Sequence, residues 1–300
     1  MTRLISVELR RLVSRRLFKA LTMLALAAFA AIGTIVFVAS DDSPERVAAA
    51  EVQRREDVAA CITNIERGVG DYPDIASIDA PQFCRDETYG SDPRFPYEDV
   101  TWILGSVGVP FMMLGWLLGA SFLGAEWKDR TITTTLTWER RRIRVLAAKA
   151  LALSLVAFVW VVALQALFAL ALLPAGAFEG NMAGVDAAWW TDSALLMLRS
   201  GGIAALAGVF GLSLAAIGRN TAAALGVGFV YLAVIEGMIR GFKPSWVDWL
   251  IGDNAALLLI GGNEVTQVGH SQVAAGLLLA AYAAAIFTLA LAFFRRRDIA

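Results

Sequence analysis

Apolar positions along the chain gather into six long, uninterrupted stretches: 20–39, 101–124, 150–173, 194–217, 221–240 and 272–294. A hydrocarbon core about 30 Å thick is crossed by roughly 20 residues of α-helix, and each stretch is long enough. Nothing inside a bilayer can hydrogen-bond an open backbone, so such stretches are helices and not separate strands. The pattern predicts an all-α integral membrane protein with six transmembrane helices. Between the spans it changes character. Over 1–18, Ile5, Leu9, Leu12 and Val13 recur at helical spacing, with Arg3, Glu8, Arg11 and Arg15 on the other side. That spacing predicts an amphipathic helix lying on the membrane surface; the alternative is a basic topology signal with no further job. The segment 44–67 has helical character, whereas the stretch holding Pro73, Pro81, Pro93 and Pro96 is expected to be irregular. The apolar segment 249–262 is too short to cross and is expected to dip into the membrane or lie along its outer face.

Composition agrees with the pattern. Hydrophobic residues make up 58% of the 300 and charged ones only 18%, too few to cover a soluble fold of this size. The net charge of −1 is uninformative, and nothing in it suggests a nucleic-acid partner. Its distribution matters more. Arg3, Arg10, Arg11, Arg15, Arg16 and Lys19 precede the first span. Lys128, Arg130, Arg140, Arg141, Arg142, Arg144 and Lys149 surround the segment 125–149 between spans two and three. Arg219 lies between spans four and five, and Arg295, Arg296 and Arg297 follow span six. Six crossings put all of these on one side, opposite the acidic segment 41–99. The positive-inside rule makes that side the cytoplasm, with both termini in it, in the cell (plasma or inner) membrane. Trp102, Trp189, Trp190, Trp246 and Trp249 fall at the outer interface and Trp127 at the inner one. Cleavage of the first span as a signal peptide is the alternative, although its apolar run exceeds the usual 7–15 or so residues.

On this topology 41–99 is an extracytoplasmic cap between spans one and two. It holds both cysteines, Cys61 and Cys84, which in an oxidising compartment can pair or remain free thiols. Inside the spans, Pro110 is expected to bend span two, and Gly201, Gly202, Gly208 and Gly211 allow close helix approach in span four. Gln165 and Arg199 are expected to bond between helices or to reach outward. Glu236 and Arg240, one turn apart in span five, form either a self-neutralised pair or a contact with a substrate or gate. Met112, Met113 and Trp116, beside Phe111, form an adaptable apolar wall on span two or a packing face. His270, the lone histidine, is expected to be solvated. No G-x-x-x-x-G-K-[ST], H-E-x-x-H or G-x-S-x-G occurs in the sequence, and no metal site is expected.

The cytoplasmic segment carries the most specific pattern. It reads Gly124-Ala-Glu-Trp-Lys-Asp-Arg-Thr-Ile-Thr-Thr-Thr-Leu-Thr-Trp138, then a basic run to Arg144 and Ala147-Ala-Lys149. This resembles the loop between the second and third spans in permease subunits of type-2 ABC transporters: an acidic-aromatic pair, a short threonine-containing helix, and a basic re-entry ending in Ala-Lys. The basic N-terminal helix, the outer loop after span one and the bent loop before the last span extend the likeness over most of the chain. One position departs, Arg130 standing where such loops usually have glycine. The resemblance implies a single transmembrane domain over 1–300, working as a dimer of permeases, as a homodimer or heterodimer, with two copies of a separate ATPase subunit. That subunit, not this chain, would hold ATP and Mg, so this chain is not expected to be an enzyme or to bind a cofactor. Glu126, Trp127, Lys128, Asp129, Arg130, Thr131, Leu136 and Trp138 would form the coupling helix, with Trp127, Ile132, Leu136 and Trp138 as its docking face. Met112, Met113, Trp116, Glu236 and Arg240 would line a substrate path or gate for a drug, antibiotic or lipid. The rival readings are a secondary transporter and a membrane-anchored sensor or scaffold working through 41–99. The basic cluster can also serve only to fix topology and bind anionic lipid.

Overall fold

The computed structural model describes residues 2–67, 79–87, 92–139, 141–261 and 268–296, without the Thr135 side chain. Pro73, Arg140, Gly262 and Arg297 lie outside these. The protein is 87% helical and has no β-strand among the described residues. Its helices are α1 (Thr2–Val13), α2 (Arg16–Ala39), α3 (Pro44–Glu66), α4 (Ala80–Glu87), α5 (Val100–Lys128), α6 (Thr131–Trp138), α7 (Arg142–Phe178), α8 (Ala187–Gly218), α9 (Thr221–Val230), α10 (Glu236–Phe242), α11 (Ile251–Ile260) and α12 (Gln272–Arg296). Among the described residues six helical segments are long and apolar enough to span a membrane: α2, α5, α7, α8, α12 and the continuous segment Thr221–Phe242. The chain is a multi-pass, all-α membrane protein.

The helices outrun the apolar stretches that announce them. With 37 residues, α7 is about 55 Å long, well beyond a core of about 30 Å. Pro110 and Pro174 lie inside continuous helices, α5 and α7. The segment Thr221–Phe242 is not uniform: Tyr231–Ile235 forms a π-helical turn between α9 and α10. Such turns leave a local widening, often at functional positions.

The chain divides into two compact units. The first comprises Met1–Ala27, Thr101–Leu167 and Ala187–Ala300. Its core is built by α5, α7 and α8. Small residues let their backbones touch: a side chain on Gly115 would collide with the Ala204 carbonyl, and one on Gly119 with that of Gly208. Gly201 faces the Phe158 carbonyl of α7 at 3.0 Å, measured from where a Cβ would stand, whereas Gly202 meets nothing within 4 Å. Gln165 and Ser200 are buried at the centre, and the Gln165 amide donates to the Leu104 carbonyl and the Ser200 hydroxyl, both at 3.1 Å.

The second unit comprises Ala28–Val100 and Phe168–Asp186. Its apolar part packs Gly33 on the Ala171 carbonyl and the Phe29 ring on Phe168, 4.9 Å between centroids. Tyr97 is buried against Gly176, and its hydroxyl donates to the Ala169 carbonyl at 2.9 Å. Pro81 does not leave its stretch irregular, as the sequence suggested, because it stands in the first turn of α4, where a missing N–H costs nothing. A disulfide between Cys61 and Cys84 joins α3 to α4. Closing a loop of sequence separation 23 stabilises the folded form by about 3 kcal/mol in the chain-entropy account. Reduction is therefore expected to expose α3 and α4 to protease while leaving the membrane-embedded fragments intact, read by limited proteolysis with and without thiol.

Candidate functional site

The site grows from the far ends of α5 and α7. Helix α5 ends at Lys128, and the chain turns through Arg130 at φ 55°, the left-handed region. Glycine meets no Cβ clash there, so arginine holds the turn at a local cost. Arg130→Gly is expected to stabilise the protein by about 0.5–1 kcal/mol, seen as a small rise in thermal midpoint.

Beyond the turn stands α6, eight residues long. Its apolar residues do not form a common docking face, contrary to the sequence expectation. Ile132 is buried and Leu136 half-buried, because a helix this short is held only if its apolar side packs on its support. Trp127 is also used internally, edge-on to Phe294 at 6.1 Å with the Arg219 guanidinium 5.0 Å from its ring. What remains outward is Trp138, 89% exposed, with Thr131, Thr134 and Thr137 exposed alongside. Lys128, Asp129 and Arg130 are exposed at the turn.

Beneath this element lies a buried ion cluster centred on Lys149, which is 0% exposed. Its ammonium donates to Glu8 Oε2 at 2.8 Å and to Glu126 Oε1 at 2.7 Å, and lies 4.9 Å from the Phe122 ring centre. Arg15 adds a second cation: it stands 3.8 Å from Glu126 and donates to the Ser121 and Phe122 carbonyls at 3.0 Å. Burial pushes the Arg15 guanidinium below its ordinary value, an effect opposed by Glu126, Glu8 and Asp129. Two carboxylates and two cations thus tie α1 and the α1–α2 junction to the end of α5 and the start of α7. The sequence reading placed Glu8 on the polar side of α1. In the structure Glu8 lies among the inward residues with Leu12, because Lys149 draws it in. A cavity of about 810 Å³ opens beside the cluster, bounded by Arg11, Arg15, Glu126, Asp129, Thr134 and Trp138.

Farther along α5, Met112, Met113 and Trp116 do share one site. They line a small apolar cavity of about 70 Å³ with Phe210, Leu214, Gly228, Tyr231 and Ile251. Glu236 and Arg240 pair at 3.2 Å but serve the fold next to it. Glu236 is buried and accepts from the Gly252 amide at 3.0 Å, at the start of α11, while Arg240 bridges on to Asp253 at 2.9 Å. The carboxylate therefore satisfies orphan donors at the α11 N-terminus. His270 is not merely solvated. The Asn254 amide faces the Asp248 and Leu250 carbonyls, so its oxygen is turned outward and accepts from His270 Nε2 at 2.7 Å.

Three features escaped sequence reading: the Lys149 cluster, the π-turn and the Gly115/Gly119 seam. Lys149 had a signal, a lone cation leading into an apolar run, but its partners are 141 and 23 positions away. Gly115 and Gly119 had one as well, the G-x-x-x-G spacing. Among the described residues no group of three or more His, Cys, Asp or Glu is placed to hold a metal ion. Compared with known proteins, the chain matches no protein-family model and no curated protein.

Proposed function

We propose that this chain is the permease subunit of an ATP-driven exporter of the type-2 ABC kind, oriented with both termini in the cytoplasm. The observation that carries the reading is α6: a short helix held beyond the ends of two long apolar helices, presenting one exposed tryptophan and sharing a cavity with a buried ionic cluster. An isolated eight-residue helix is marginal in water, so α6 keeps its shape only because its support holds it. Rigid on one side and open on the other, it suits a lever onto which a soluble partner docks. The partner is a separate ATPase subunit, two copies serving two permease chains. Closure of the ATPases would press on Trp138 and its turn. The push would pass through Glu126, Lys149 and Glu8 into α5, α7 and α1. The substrate enters along apolar surface and leaves outward.

The test is co-purification of the tagged full chain from gently solubilised native membranes. Wild type is expected to bring down an ATP-hydrolysing subunit, and Trp138→Ala to lose most of it without a change in thermal midpoint, because Trp138 is 89% exposed. Trp127→Ala, by contrast, is expected to lower the midpoint as well. An absent ATPase even after crosslinking overturns the proposal.

A further inference from the structure

The cavity of about 810 Å³ beside the Lys149 cluster has an arginine-rich wall that docking at Trp138 does not use. Its volume falls within the roughly 300–1,000 Å³ of small-ligand sites. Arg11, Arg15 and Arg16 line it from the α1–α2 junction, and Thr131 and Thr134 from α6. Arg15 is fixed in place, since its guanidinium donates to the Ser121 and Phe122 carbonyls and lies 4.8 Å from the Phe122 ring centre. Arg16 is exposed and has no ion pair among the described residues. Taken with the cluster beside it, the cavity gathers four cations, Arg11, Arg15, Arg16 and Lys149, against three carboxylates, Glu8, Glu126 and Asp129. These groups leave a single positive charge in excess, and Arg16 carries it at the open wall.

We propose that this cavity holds the headgroup of an anionic phospholipid, its phosphodiester accepting from Arg16 and Arg11. A planar guanidinium presents paired N–H donors that match the spacing of phosphate oxygens. A phosphodiester carries a single negative charge, which balances the excess. A second negative charge would meet Asp129 on the same wall, whereas a headgroup hydroxyl finds an acceptor there. The stretch of α2 that follows decides for a lipid over a soluble phosphate. Leu17 lines the cavity, and Leu17, Ala20, Leu24 and Ala27 recur at helical spacing along α2. Leu24 is 68% exposed and its neighbour Met23 69%, so an uncovered apolar strip leads away from the arginines. A molecule with an anionic head and an apolar tail meets both features, and free phosphate meets only the first. Thr134 brings α6 to the same headgroup, so an anionic leaflet would steady the element on which the ATPase docks. For that consequence alone the inference rests on the exporter reading.

The test uses the purified, delipidated full chain alone in alkyl-maltoside micelles, which contain no phosphate. Phosphatidylglycerol and phosphatidylcholine with the same acyl chains are titrated, and bound lipid is counted by native mass spectrometry. Phosphatidylglycerol is expected to bind as a single tight copy, with phosphatidylcholine weaker by about tenfold or more. Arg16→Gln should weaken phosphatidylglycerol about tenfold, the worth of one charge-assisted hydrogen bond. Because Arg16 is exposed, the lipid-free thermal midpoint of that variant should equal that of wild type. Arg10→Gln removes an exposed arginine of α1 that lies outside the cavity lining, and should leave the affinity unchanged. Equal affinity for the two lipids, equal affinity in wild type and Arg16→Gln, or equal losses in the two arginine variants overturns the proposal. So does inorganic phosphate that displaces phosphatidylglycerol at equal concentration, which would assign the arginines to a soluble anion. No ATPase takes part, so failure here is separable from failure of the co-purification.

Discussion

Lys149→Met is expected to cost the protein about 3–5 kcal/mol, the range for removing one partner of a buried ion pair. The side chain is fully enclosed, and its ammonium is the hydrogen-bond donor to two nearly inaccessible carboxylates, Glu8 and Glu126. Methionine fills nearly the same volume, so the loss comes from charge and not from a cavity. Among the described residues Glu8 would keep an ion pair with Arg11, 3.5 Å away and half exposed, and Glu126 one with Arg15, at 3.8 Å. Neither replaces a direct bond at 2.7–2.8 Å. The triple variant Lys149→Met, Glu8→Gln, Glu126→Gln removes the stranded charges and should recover most of the loss. Thermal unfolding of the two variants in the same detergent measures both effects. A Lys149→Met protein as stable as wild type would show that the cluster does not hold α1 to the bundle. Because Glu126 and Lys149 stand on the two helices that flank α6, the single variant is expected to lose ATPase co-purification together with stability. Trp138→Ala should lose co-purification alone.

Gly119→Leu is expected to prevent α5 and α8 from assembling, and even Gly119→Ala should be destabilised by about 1–3 kcal/mol, the usual cost of overpacking. A Cβ on Gly119 has no free space, because the obstruction is the Gly208 carbonyl of the neighbouring backbone and not a flexible side chain. The same holds one turn away, where Gly115 meets the Ala204 carbonyl. In lipid no hydrophobic force drives helices together, so their association depends on this close packing. Gly202 is the internal control: with nothing within 4 Å, Gly202→Ala should be neutral or slightly stabilising through helix propensity. Thermal midpoints of the three purified variants would be compared. A Gly119→Ala midpoint equal to that of Gly202→Ala would contradict the contact.

The ionic cluster and the glycine seam do different work. The seam joins two helices through backbone contact and leaves no freedom between them, so a displacement of α5 is carried directly to α8. The cluster joins α1, α5 and α7 through long side chains at a point where α6 hangs from two of them. Within the proposed exporter this supplies a stiff shaft and a pivoted base. Glu236 belongs to the stiff part. It closes the N-terminus of α11, and its pairing with Arg240, which bridges on to Asp253, steadies the helix segment that follows the π-turn.

The run of apolar residues was sufficient by itself to determine the helical, membrane-spanning character of the chain. A helix satisfies its own backbone, and a bilayer leaves no alternative, so each span is decided locally, residue by residue. The cap at Asn220 is similarly local, since its side chain accepts from the Ala222 amide two positions on, whereas the eight-residue helix Thr131–Trp138 depends on the surface it packs against. Which residues of α6 face outward was not legible. Ile132 and Trp138 have the same apolar character, and only the surface beneath α6 decides that one is covered and the other 89% exposed. Glu8 was misplaced for the same reason: its inward position depends on Lys149, 141 residues further on, and no periodicity within α1 encodes that. Tertiary structure also decided that the Trp116 N–H is buried with no acceptor among the described residues and that Arg130 occupies a glycine-like turn. Local pattern specifies elements because hydrogen bonds in helices are short-range, whereas burial and charge pairing belong to the assembled bundle.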